Sequence, residues 1–163
     1  MKKILYFLDH IEEYLLMILM GTMACVVFVQ VVFRVIGSSL PWSEELSRYI
    51  AVWVTFIGAA YGIKMGSHVG VEAIKIVLPK PVRKVVELLI LAIMIFFCCV
   101  VFYYAIQIIG MQMKTGQKSP AMRTPIWRAY LGIPIGMGLC VIRSIQAAIG
   151  IIRDEQPEIE KKD

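Results

Sequence analysis

Two histidines, His10 and His68, and four cysteines, Cys25, Cys98, Cys99 and Cys140, are the side chains best suited to hold a metal or attack a substrate. Their spacing supports neither chemistry. A membrane haem protein needs histidine ligands inside its helices, and both histidines fall at the ends of apolar runs. All four cysteines lie inside such runs without a Cys-x-x-Cys pair, which reads as packing by a small hydrophobe. Nucleophilic catalysis needs a base positioned beside Ser or Cys, and no such set is visible. The expectation is a protein that is not an enzyme, with no catalytic, cofactor-binding or metal-binding residue.

The carboxylates give the same answer for ion transport. Proton and cation routes place Asp, Glu or His at membrane depth. Here Glu44, Glu45 and Glu87 sit near the ends of apolar runs, and the first long run offers Gln30 where a small multidrug exporter wants a carboxylate. The deepest charge is Arg143. An unpaired charge in hydrocarbon is costly, so the sequence suggests a pair between Glu87 and Arg143, with snorkelling of the arginine to the headgroups as the alternative.

The elements that carry these residues are apolar. The 163 residues are 59% hydrophobic and 18% charged, with a mean hydropathy of +0.74. A span needs about 20 apolar residues. Four segments qualify, near 13–36, 43–65, 82–113 and 126–152, and together they predict an all-α integral membrane protein with one membrane domain over 1–163. Gly37 to Pro41 breaks the first span from the second, and Ser43 is a candidate N-cap with Glu44 and Glu45 in the favoured first turn. Residues 69–78 carry Val71, Ile74, Val77 and Leu78 at helical spacing, which predicts a short amphipathic helix in the interface. Ile4 to Ile11 could lie there too. Met1-Lys2-Lys3 precedes a long run with no small-residue cleavage pattern, so that run reads as a retained helix. Pro134 is set to kink the fourth span, and the charged tail 153–163 reads as disordered.

Lysine and arginine sort by side. Lys2, Lys3, Lys64, Lys75, Lys80, Arg83, Lys84, Arg153, Lys161 and Lys162 fall on one side, and Arg34, Arg48, Lys114, Lys118, Arg123 and Arg128 on the other. The positive-inside bias places both termini in the cytoplasm. The net charge of +5 then serves topology and lipid headgroups. No basic cluster is interleaved with aromatics, so nucleic acid is not an expected partner.

Two ridges of small residues recur every four positions. One is Gly58, Gly62 and Gly66; the other is Gly132, Gly136, Cys140, Ser144 and Ala148. Such ridges let helices approach closely in lipid, either within the chain or against a partner. The loop with Lys114, Lys118, Arg123 and Arg128 holds no acid, which is unusual for an outward loop. It suggests docking of an acidic protein, with headgroup binding as the alternative.

The segment Leu40-Pro41-Trp42-Ser43-Glu44-Glu45-Leu46-Ser47-Arg48-Tyr49, followed by Trp53, Phe56, Gly58-Ala59-Ala60, Lys64, Gly66 and His68, resembles the small membrane subunit of tripartite ATP-independent periplasmic (TRAP) transporters. Helix number and length agree over nearly the whole chain. Lys64 stands where Arg is common and Glu72 where Asp is usual, both preserving charge. The resemblance implies a bacterial inner-membrane protein paired with a large membrane subunit that carries the substrate and sodium sites. A periplasmic substrate-binding protein would deliver an organic anion, such as a C4-dicarboxylate or sialic acid. The small subunit would be a non-catalytic scaffold that helps dock it. The rival readings are a self-sufficient homo-oligomeric transporter and a membrane anchor for another enzyme.

Overall fold

The protein is described by a computed structural model over residues 2–65 and 80–153. Its helices are α1 (Lys2–Val35), α2 (Pro41–Lys64), α3 (Lys80–Thr115), α4 (Trp127–Tyr130) and α5 (Gly132–Ile152). Four spans are long and apolar enough to cross a membrane: His10–Val35, Pro41–Lys64, Val82–Thr115 and Trp127–Ile152. The chain is thus an all-α, multi-pass membrane protein. The expected interfacial helix over 69–78, together with Gly66 and His68, lies outside the described residues.

Local chemistry explains the boundaries. Between Lys2 and Glu13 there is no Gly or Pro, so α1 begins at Lys2 and takes in the segment that could have lain apart in the interface. Gly37, at φ +83°, turns the chain after it. α2 starts one turn earlier than Ser43 predicts, because Pro41 fills the first helical position, where its missing N–H costs nothing. Ser43 is therefore not the cap. It is fully buried, and its Oγ donates to the Leu40 carbonyl at 2.7 Å. Pro134 removes a hydrogen bond to the Tyr130 carbonyl, and the last span accordingly breaks at Leu131 into α4 and α5.

The four spans form a single row in the order α1, α2, α5, α3. α1 packs on α2, α2 on α5, and α5 on α3, while α4 touches both α2 and α3. Among the described residues, α1 and α3 make no backbone approach to each other. Ala60, Ile63, Cys98, Met137 and Cys140 form the buried seam where α2, α5 and α3 meet. The packing role expected of the cysteines fits Cys98 and Cys140, whereas Cys25 and Cys99 are exposed. A one-layer row leaves two broad apolar faces and two apolar edges, as a lipid-embedded chain can tolerate.

Candidate functional site

The row has two ends. One carries the α1–α2 turn and the loop after α3; the other carries His10, Lys64, Arg83 and Arg143. The residues singled out by the sequence fall at these ends and along the α2–α5 seam.

At the loop end, Glu45 is the organising side chain. Its Oε1 accepts the Tyr49 hydroxyl at 2.7 Å. Its Oε2 accepts the backbone N–H groups of Ala121 at 3.1 Å and Met122 at 3.0 Å. The Ser119 hydroxyl faces the same carboxylate and accepts the Met122 N–H at 3.2 Å. A carboxylate on successive amide hydrogens is a strong, charge-assisted arrangement. It fastens the loop to the N-terminal part of α2. Glu44 turns the other way and accepts the Gln30 amide of α1 at 3.3 Å. Both glutamates thus join separate parts of the chain. Arg48 and Trp42 are exposed.

The loop itself is compact. Lys118 bridges Pro125 in antiparallel fashion, the Ser119 N–H donates to the Thr124 carbonyl at 2.9 Å, and the Ile126 N–H donates to Gln117 at 3.2 Å. Gly116 and Arg123 take left-handed φ values of +62° and +52°, a region natural for glycine and less so for arginine. Ser119 is buried under the turn. Lys114, Lys118, Arg123 and Arg128 are all exposed, and the Arg128 guanidinium lies 5.8 Å from the Trp127 ring centre, within cation–π range. Beside this basic rim, Pro41, Glu44, Glu45, Arg48, Pro120 and Ala121 line a shallow depression.

At the opposite end, the expected pair of Glu87 with Arg143 is replaced by two other pairs. Glu87 accepts Arg83 Nε at 2.9 Å, one turn away on α3. Arg143 Nε donates to both oxygens of Glu12, at 3.0 and 3.3 Å, and its Nη1 donates to Gln146 at 2.8 Å. The physical reason is the helix order. α1 extends far enough towards the N-terminus to bring Glu12 to the flank of α5, and the Glu12 and Arg143 side chains are 2% and 10% exposed. Sequence reasoning left Glu12 outside the first span, and a separation of 131 residues carries no linear signal.

The glycine ridges divide. A Cβ on Gly136 would lie 2.5 Å from Phe56 Cβ, and one on Gly132 would lie 3.0 Å from the Trp53 ring. The α5 ridge, and with it Trp53, therefore serves the contact between α5 and α2. Gly58 faces Leu16 of α1 at 3.8 Å, whereas Gly62 faces open space.

Residues 23–154 match the family model described as the DctQ component of tripartite ATP-independent periplasmic transporters. The chain is 32% identical over 117 residues to the C4-dicarboxylate TRAP transporter small permease protein DctQ of Rhodobacter capsulatus, covering 72% of this chain and 52% of that protein. It is 27% identical over 145 residues to the isethionate TRAP transporter permease protein DctMQ of Oleidesulfovibrio alaskensis, covering 83% and 23% respectively. It is 29% identical over 117 residues to the ectoine TRAP transporter small permease protein TeaB of Halomonas elongata, covering 70% and 59%. The matched region is thus about half the length of the first of these relatives and under a quarter of the second. With the greater part of its length inside the family match, the chain belongs to the DctQ component family of tripartite ATP-independent periplasmic transporters.

Proposed function

We propose that this chain is the non-catalytic small membrane subunit of a sodium-coupled TRAP transporter. It scaffolds a large membrane subunit in the bacterial inner membrane and helps dock a periplasmic substrate-binding protein during uptake of an organic anion of the C4-dicarboxylate or sialic acid kind. Both termini face the cytoplasm, by the lysine and arginine bias. The names of three relatives carry C4-dicarboxylate, isethionate and ectoine. Such variety at similar identity supports cargo selection by a partner. In the isethionate relative the matching stretch is a minor part of a longer permease, which supports a large companion in the same membrane.

The observation that carries this reading is the placement of charge. The described ion pairs lie at the row's end, and the other end presents a stiffened loop rimmed by Lys114, Lys118, Arg123 and Arg128. A scaffold needs packing surface and docking charge, and this chain has both. Pre-ordering of the loop by Glu45 lowers the entropy lost on docking, and the clustered positive charge speeds encounter with an acidic partner.

The test is uptake by the assembled transporter carrying Lys118→Glu and Arg123→Glu together. Assembly is expected to survive while uptake from the binding protein slows, more so at low salt, where screening is weak. Unchanged uptake across a range of salt would remove the loop from the docking surface. Sodium-driven uptake by this chain alone in liposomes would favour the self-sufficient transporter instead.

A further inference from the structure

α3 is an edge of the row, and one of its sides has no neighbour among the described residues. The side that meets α5 is regular: Glu87, Leu91, Cys98, Ala105 and Ile109 are buried along it. At 100° per residue, the directly opposite side carries Leu89, Ile93, Phe96, Tyr103, Gln107 and Met111. The five apolar and aromatic members are 59–71% exposed, and Gln107 is exposed among them.

Gln107 is the telling residue. The charge-free stretch from Leu88 to Met113 is roughly 39 Å long at 1.5 Å per residue, against a hydrocarbon core of about 30 Å. Whether the stretch overhangs equally at both ends or tilts to fit, Gln107 lies about 5–7 Å inside the hydrocarbon edge. A primary amide turned towards lipid there loses its hydrogen bonds to water and gains none in return. The other edge helix shows no such conflict. On α1, Thr22 donates to the Ile18 carbonyl of its own helix at 2.8 Å, and Gln30 is held by Glu44 at 3.3 Å. α1 satisfies its amide and hydroxyl within the chain, whereas no hydrogen bond holds Gln107 of α3 among the described residues.

We infer that the outer side of α3, centred on Gln107 and flanked by Phe96 and Tyr103, is the seat of the large membrane subunit, which supplies a hydrogen-bonding group at the depth of Gln107. The inference rests on the function proposed above and adds the face and the residue of contact. Lipid does not satisfy the amide. A lasting partner in the same membrane does, and the isethionate relative, with its matching stretch inside a much longer permease, points to the large subunit as that partner.

The test uses photo-crosslinking in membranes that contain the complete transporter, with p-benzoylphenylalanine replacing Phe96 or Tyr103, and Phe28 on α1 as the comparison site. The expected result is an adduct with the large subunit from both α3 positions. Gln107→Leu is expected to weaken the purified complex about threefold, the size of a typical interhelical hydrogen bond in a membrane. If the complex purifies intact but positions 96 and 103 yield lipid adducts or dimers of this chain, the inference is overturned and the scaffold reading stands. Unchanged affinity of Gln107→Leu would likewise overturn it. If no complex forms between the two wild-type subunits, the scaffold reading falls and takes the inference with it.

Discussion

Gly136→Ala is the sharpest probe of the row. An added Cβ would fall 2.5 Å from Phe56 Cβ, 2.6 Å from its carbonyl carbon and 2.7 Å from its carbonyl oxygen. Ordinary contact begins at 3.4 Å. Two of the three atoms are backbone, so no rotamer change relieves the overlap, and α5 must retreat from α2 by about 0.9 Å. A gap of that order forfeits about a quarter to a half of each dispersion well along the seam. In lipid, close packing is the main force joining helices. Overpacking of a tight core costs about 1–3 kcal/mol, occasionally more, and Ala returns about 1 kcal/mol of helix propensity. Because the clash is with backbone, the upper end of that range applies, and the expected net loss is about 2 kcal/mol. Gly62 is the internal control: nothing lies within 4 Å of its added Cβ, so Gly62→Ala should be neutral or slightly stabilising. Gly132→Ala should fall between them, because its obstacle is the Trp53 side chain, which can shift. The assay is equilibrium unfolding of the purified chain in mixed micelles, followed by tryptophan fluorescence. Equal midpoints for Gly136→Ala and wild type, or equal damage from Gly62→Ala, would refute the close-approach argument.

Removing one member of the Glu12–Arg143 pair, as in Glu12→Gln or Arg143→Leu, should cost about 3–5 kcal/mol in the same titration, because the other charge is left buried. The double variant Glu12→Leu/Arg143→Met should recover most of that loss. Glu45→Ala should speed hydrogen exchange at the Ala121 and Met122 amides, which the carboxylate holds, while Glu45→Gln, which keeps an acceptor, should show a smaller change. A periplasmic phosphatase fused after Asp163 should be inactive, and activity there would invert the proposed topology.

Much of this molecule is legible in its sequence because lipid simplifies the code. A hydrocarbon solvent demands long apolar helices with satisfied backbones, so the four spans can be read from runs such as Leu88 to Met113. The motif around Trp42, Glu44, Glu45 and Arg48 identifies the family because its residue types and spacing are unusual in such a chain. The break before Pro134 is likewise local, set by one missing N–H. The use made of Ser43 is less legible, because a serine beside Pro41 can cap a helix or bond back to Leu40, and local chemistry permits both.

The order of helices in the row is a tertiary decision. In lipid, apolar side chains gain little by choosing one another over acyl chains, so hydropathy is silent on neighbours. Shape decides instead: the Gly132 and Gly136 side of α5 fits Trp53 and Phe56 of α2, and that fit settles that this ridge works inside the chain. The partner of Arg143 follows from the same order. Glu87 looked nearer in depth, but α1 beside α2 delivers Glu12 instead. Glu45 lies 76 residues from Ala121. Its sequence position allows a helix-dipole role or an Arg48 pair, and only the folded chain, by bringing the loop over the start of α2, gives its carboxylate two backbone amides to hold.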